Sequence, residues 1–595
     1  MQHLFHIPVL GLAFSIDTPL AVAKYGITSV ISIVDDELIE RMRAYHCKKN
    51  DLLYQPILAT DYDSRAARIT AYLNLLQDLI DRQVENMKAA HFGDGGDLDR
   101  YFELLPNNHV LKEKYHRLRC TVSIDDRHAL ERELKGQMAV GEIQANIMAK
   151  VDKVNENAET HEVMPFSSDA LAALRGFANS KVSSGLVLSA GLNQHLYSYI
   201  ATFPDFYPDS EGQLMKRIIL KVSDYRSAYI QARLLAKKGI WVSEYRIESG
   251  LNCGGHAFAT DGYLLGPILE EFRDKRQAMS QELFAMYRQA LVAKGYDIER
   301  MPQTRYTVQG GIGNADEQRF LLDYYQLDGT GWGSPFLLVP EATNVDDDTL
   351  NRLVEAQEQD FYVSDASPLG IPFNNFRKST AEDLRLQRLA QGKPGNPCTK
   401  KYLISNTEYG GRPICTASNK YQSLKIKELK ASGLSSREFR LEVAKLTEKT
   451  CLCEGLSSAA YIKKGILGPK ESKAVAICPG PNLAWFSGPY SLDEMIGHIY
   501  GRINLLNGKS RPNLFVNELL LYIAHLNKHL AQENPVDEQK HAKYIAHFRE
   551  QLLNGIDYYK SLSKKFKAYP LLNEGWMLLE LASIESELQM SDETR

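Results

Sequence analysis

The sequence predicts an α/β protein: a (β/α)8 barrel with a helical insertion after its second strand and a mostly α-helical C-terminal extension. Three observations lead there. Between residues 6 and about 345 the chain repeats short apolar runs rich in Val and Ile, the texture of strands covered on both faces. Helix-like patterns separate most of these runs, and the runs number eight, the count of a closed barrel. After residue 345 the alternation stops. A doubly wound sheet is the runner-up reading of the same pattern.

The runs fall at 6–14 (HIPVLGLAF), 29–34 (SVISIV), 142–149, 185–191, 217–224, 240–248, 305–313 and 329–339. Between the fifth and sixth, residues 225–239 carry one apolar face and close on Gly239, as a helix does. Residues 316–329 repeat the pattern after the seventh. Two intervals exceed a simple crossover. Residues 35–141 contain an amphipathic helix at about 65–90, and 257–304 hold at least one more. Insertions after barrel strands lie on the face where active sites form, so they suit lids or partner surfaces. The predicted organisation is a barrel over 1–350, a loop-rich segment with cysteines over 351–420, and a helical region over 421–595.

Composition sets outer bounds. A chain of 595 residues suggests three or four domains of about 150 residues, a prior that a single large barrel overrides. Hydrophobic residues at 44% and charged residues at 24% are ordinary for a soluble globular protein and exclude a collagen-like or wholly disordered chain. The net charge of −4 excludes a global polyanion-binding field and leaves a local basic face open. Eight cysteines are too few for a secreted disulfide scaffold. No apolar run approaches the roughly 18 residues of a membrane span. The N-terminus has the apolar block of a signal peptide but no Lys/Arg region, and Asp17 interrupts the block, so a cytoplasmic protein is expected.

The chemistry of a barrel sits at the C-terminal ends of its strands. After the seventh come Gly310, Gly311 and Gly313; after the eighth come Gly331, Gly333 and Ser334. Either glycine group alone serves a tight turn. Together, at those two strand ends, they point to a phosphate site, because glycines let backbone N–H groups approach the anion. After the sixth run stands Ser249-Gly250-Leu251-Asn252-Cys253-Gly254-Gly255-His256. A histidine on such a loop can act as acid or base near neutral pH. The alternative is a histidine that only hydrogen-bonds its own turn.

The set IPVLGLAF, NIMAK, GGHAF, VQGGIG and GWGSPF, in order on the strands, resembles the nitronate monooxygenase (2-nitropropane dioxygenase) family of FMN-binding barrels, which also includes flavin-type enoyl-ACP reductases. The resemblance covers about 6–345. It implies FMN as cofactor, with His256 as the base beside the flavin ring. Asn146 and the backbone near Gly11 would contact the isoalloxazine, with Gly255, Ser189 and Gly191 lining the site. Gly310, Gly311, Gly333 and Ser334 would hold the phosphate. Lys221 would meet the flavin or a substrate anion; the alternative is a lysine closing a salt bridge across the mouth. The long insertion, the extension and Ala257-Phe258 after the histidine depart from the family pattern.

The extension carries a motif of its own. Cys398, Cys415, Cys451, Cys453 and Cys478 place five of eight cysteines within 81 residues. Thiolates suit zinc or an iron–sulfur cluster, although these spacings match no standard pattern. The expected ligand set is Cys398, Cys415, Cys451 and Cys453, with Cys478 as substitute; the alternative is buried thiols without metal. From Lys400 to Thr450, eleven Lys/Arg face five Asp/Glu with tyrosines interspersed. That run reads as a solvated helix face or as a grip for an acidic partner, such as a carrier protein or nucleic acid. The expected activity is an FMN-dependent oxidoreductase that oxidises a nitronate-like substrate or reduces an enoyl or carrier-bound one, with NAD(P)H as reductant in the second case. The alternatives are a flavin plus iron–sulfur electron-transfer enzyme and a barrel scaffold with a C-terminal partner module.

Overall fold

The computed structural model describes residues 2–148, 152, 154–156, 163–189, 191–257, 260–506, 511–531 and 538–593. Barrel strands one to eight are Phe5–Ile7, Thr28–Ser32, Ile143–Ile147, Ser184–Leu188, Lys216–Val222, Val242–Glu248, Arg305–Gln309 and Gly329–Gly331. All pair in parallel, and strand eight returns to strand one through Phe5 opposite Thr330 and His6 opposite Gly331. Each of the eight apolar runs overlaps one of these strands. A short antiparallel hairpin, Val154–Glu156 with Val163–Ser168, lies between strands three and four.

Period-two alternation explains what each strand contributes. Ile143, Ala145, Ile147, Ile218, Leu220, Tyr245, Ile247 and Val308 face outward into the main core beneath the helices. The inward positions are largely polar. Buried Arg246 donates to Glu244 at 2.7 Å and to Gln144 at 3.0 Å, and Thr307 donates to Glu244 at 2.7 Å. A small apolar layer of Val30, Val187 and Ile219 shares the interior. The same alternation brings Asn146, Ser189, Lys221 and Glu248 to the mouth.

Five helices fill the insertion: Asp36–Lys49, Ser64–Ala89, Asp97–Leu104, Val110–Cys120 and Ile124–Gly136. The second buries Ile69, Tyr72, Leu73, Leu76, Ile80, Val84 and Met87, the single stripe expected of an amphipathic helix. It crosses the helix Asp169–Ala178 closely at Gly176, where a Cβ would stand 2.7 Å from that of Ile69. After strand six, the long interval forms the helix Leu265–Val292.

The extension is built on the barrel and shares its core. After the helix Asp347–Val354 comes an antiparallel pair, Phe361–Ser364 and Phe373–Phe376, then the helix Thr380–Ala390, an irregular stretch over 391–418 and a mostly helical remainder. Backbone bridges join Phe373 to His256 and Pro479 to Gly254. One continuous apolar cluster includes Ile69 of the insertion, Val308 and Ile312 of the barrel, and Leu514 and Phe515 of the helix Leu514–Leu530. Among the described residues no helix is long and apolar enough to cross a membrane.

Candidate functional site

The C-terminal mouth of the barrel opens into a cavity of about 180 Å3. Gly11 reaches it from the turn after strand one, Asn146 from strand three and Ser189 from the end of strand four. Lys221 comes from strand five, and Gly255 and His256 from the loop after strand six. The extension roofs the cavity with Phe373, Tyr402, Leu403, Leu452, Leu456 and Cys453. Gly11 needs its hydrogen: φ is +54°, and a Cβ would meet the Phe14 ring at 2.7 Å. Gly191, φ +128°, is not part of the lining.

His256 is held from several sides. Its Nε2 lies 2.7 Å from Ser367 Oγ, and its ring meets Phe373 edge-on at 5.3 Å. Its carbonyl accepts from Asn252 Nδ2 at 2.9 Å, and Asn374 Nδ2 donates to Asn252 Oδ1 at 2.7 Å. Ser367 is fully buried and lies 111 residues after His256. No local pattern in the sequence marks it as a partner. Lys221 forms a 2.9 Å ion pair with Glu248, which also accepts from Gln309 Nε2 at 3.0 Å. The salt bridge across the mouth is therefore present, and Lys221 lines the cavity as well.

Below the mouth the charges are tightly balanced. Burial alone would raise the Glu244 carboxyl, but Arg246 and Arg305 outweigh it and hold the group down at about 2. His6 is pushed well below its ordinary value by burial and then by Arg246. The floor of the site thus carries a carboxylate and a neutral imidazole at neutral pH.

The residues expected to hold phosphate are placed differently. Gly310, Gly311, Gly333 and Ser334 are all buried, and none of them lines the mouth cavity. A Cβ at Gly310 would meet Asn252 Cα at 2.8 Å, and one at Gly311 would meet Leu251 at 2.5 Å and Leu514 at 2.7 Å. At Gly333 it would meet Cys253 at 2.6 Å. The Ser334 hydroxyl donates to the Cys253 carbonyl at 3.0 Å and accepts from Gly480 N at 2.7 Å. Arg511 reaches in from the extension, donating to the Gly311 carbonyl and, at 3.0 Å, to Asn482 Oδ1.

An anion does occupy this helix N-terminus, and the chain supplies it. Glu317, in the first turn of the helix Ala315–Tyr324, accepts from Gly313 N at 2.6 Å and Leu514 N at 2.7 Å. It pairs with Arg511 at 2.6 Å, both side chains being almost wholly buried. The attraction of backbone N–H groups and a helix dipole for negative charge is thereby satisfied internally. As packed, the residues at strands seven and eight do not fit a flavin phosphate, because Gly480, Arg511 and Leu514 fill the space. The six residues at the mouth do converge on one cavity. At about 180 Å3 it is smaller than the 300–1,000 Å3 typical of whole-ligand pockets, and suits the reactive end of a larger molecule.

The four cysteines of the expected set also come together, around a separate small cavity of about 10 Å3 beside the mouth. Of the basic residues of 400–450, some are engaged within the chain, while others, among them Lys401, Lys427, Lys430, Arg437 and Arg440, are exposed. Lys400 is buried against Asp35, Lys425 lies between Glu408 and Glu428, and Lys449 donates to the Asp365 carbonyl.

Fold and site together define a (β/α)8 barrel whose roofed mouth sets a few polar groups in a largely apolar lining. Comparison with known proteins adds the following. No protein-family model matches the chain, and no curated protein does. Similar solved structures include FabK from Thermotoga maritima, with 12% identity, TM-score 0.31, and coverage of 69% of this chain and 85% of that one. The enoyl reductase domain of MlnA from the macrolactin cluster of Bacillus amyloliquefaciens has 13% identity and TM-score 0.32, covering 74% and 89%. Nitroalkane oxidase from Streptomyces ansochromogenes has 10% identity and TM-score 0.29, covering 64% and 86%. TM-scores at this level carry no argument, and the barrel rests on its own strand order.

Proposed function

We propose that the chain is an oxidoreductase of the flavin-dependent enoyl reductase and nitroalkane oxidase kind, acting at the barrel mouth with His256 as acid and base. One observation supports this most. Six of the seven residues that the sequence resemblance assigns to the ring-facing part of a flavin site, all but Gly191, come from five strands to a single cavity. In such enzymes the redox chemistry belongs to the cofactor, while the protein binds, orients and moves protons. Here His256 lines the cavity and its Nε2 is in hydrogen-bond contact with Ser367 Oγ, buried behind it, which supports a role in moving protons. The Lys221–Glu248 pair offers an ammonium to a substrate oxygen without leaving an uncompensated charge in the barrel. A second cleft of about 860 Å3, lined by Leu251, Ala257, Phe361, Tyr362, Trp485 and Leu520, abuts the strand-six loop and suits the apolar chain of a carrier-bound substrate.

The test begins with the absorption spectrum of the full chain after incubation with flavin, followed by assays of nitronate oxidation and of NAD(P)H-driven enoyl thioester reduction. Flavin uptake with turnover in one of these assays is expected. His256→Gln should keep the flavin and lower turnover by about 10²–10⁴-fold, the usual worth of a positioned acid or base. A chain that takes up no flavin refutes the proposal, and unchanged turnover in His256→Gln removes that residue's role.

A further inference from the structure

Residues 391–418 lie between the helices Thr380–Ala390 and Asn419–Ala431 and contain no helix or strand, only isolated bridges that pair Asn396 with Ser418 and Asn406 with Ile414. A stretch this long without regular structure needs another source of order, and small irregular units commonly take it from disulfides or a metal. None of the eight cysteines is joined in a disulfide. Four of them, from two separate segments, line one cavity: Cys398 and Cys415 from the irregular stretch, and Cys451 and Cys453 from the start of the helix Leu452–Lys463. Cys415 and Cys453 are buried, and the Cys415 and Cys398 thiols are in hydrogen-bond contact.

We propose that Cys398, Cys415, Cys451 and Cys453 form a tetrathiolate site for a single zinc ion, which fixes the irregular stretch 391–418 to the helix Leu452–Lys463. Four sulfur ligands without imidazole or carboxylate select zinc or iron among the common metals. The cavity of about 10 Å3 decides between a single ion and a cluster, because a space near the size of one water does not hold several iron and sulfide atoms. Among the described residues no three His, Cys, Asp or Glu side chains stand in ligating geometry. The proposed site therefore forms when the four thiols lose their protons and draw in on the ion. Metal binding replaces the thiol protons, and an ion held only by the folded chain stabilises it. Cys451 is the N-cap of its helix, where the dipole favours a thiolate. Cys453 also lines the mouth cavity, so the ion would set the roof of that cavity.

The test is elemental analysis of the full chain purified under reductant without chelator, repeated after exposure to zinc and removal of the excess. About one zinc per chain is expected. The double variant Cys451→Ser/Cys453→Ser should lose it, while Cys120→Ser, at an exposed cysteine outside the cluster, should keep it. If the double variant fails to fold, the wild-type chain still decides. A mercurial should release one zinc, and a cadmium-loaded chain should show sulfur-to-metal charge-transfer absorption. Absence of metal after zinc exposure, several irons per chain, full zinc in the folded double variant, or pairing of the four thiols as disulfides would overturn the proposal.

Discussion

At the scale of single residues, the barrel interior is a ladder of charges held by geometry. Glu244 and Arg246 lie two positions apart on strand six, so both point inward and meet at 2.7 Å. Removing one member of a buried pair strands the other. Arg246→Leu should therefore destabilise the protein by about 3–5 kcal/mol, read from chemical denaturation. A cost below about 1 kcal/mol would show that the ladder is relaxed by water. The sign of the pH dependence follows from the same group. Glu244 has its folded value lowered from 4.5 to about 2, so its contribution is present above pH 4.5 and is lost as the pH falls toward 2. Glu244→Gln should flatten the acid side of the stability profile over that window. This ladder was not legible in the sequence, because the strands were read as evenly apolar. Asn146 and Lys221, near their strand ends, and His256, on the loop after strand six, were legible as residues of the mouth, and all three line its cavity. Ser367, which fixes His256, was not, because its only signal is a contact across 111 residues.

At the scale of elements, the helix Ser64–Ala89 and the eight strands were the most legible parts. Their periodicity is local and is reinforced by burial of one stripe or of both faces. Leu76, fully buried at the centre of that stripe, should cost about 2–5 kcal/mol when changed to Ala, measured by denaturant midpoint. The loops after strands seven and eight show the opposite case. Their glycines were read as a phosphate cradle, and the structure uses them for close packing against Leu251, Cys253 and Leu514. A glycine-rich turn records that something approaches closely, not whether that is a ligand or the chain's own backbone. The occupants, Gly480 and Arg511, lie 146 residues beyond Ser334 and 200 residues beyond Gly311 in sequence, out of reach of any motif. Arg511→Ala removes the partner of buried Glu317 and should cost about 3–5 kcal/mol. It should also make the segment around 478–485 more open to protease. Unchanged stability and cleavage would mean that Arg511 does not hold the extension in the cradle.

At the scale of the whole molecule, the insertion, barrel and extension share one apolar core. The composition and texture change after residue 345 suggested a boundary, yet the extension supplies the roof of the mouth, the partner of His256 and the filling of the cradle. A chain ending near residue 350 exposes the faces that Leu514 and Phe515 cover and should be insoluble or molten. A cooperatively melting fragment would contradict that. Under the proposed function the mouth takes the reactive end of a flavin while the extension keeps the phosphate cradle closed. Paired equilibrium titrations of the full chain with FMN and riboflavin test it most directly. The account predicts that both bind, with dissociation constants within about fivefold, or roughly 1 kcal/mol of each other, because the phosphate has no seat. Failure of both to bind, or a hundredfold preference for FMN, would contradict it.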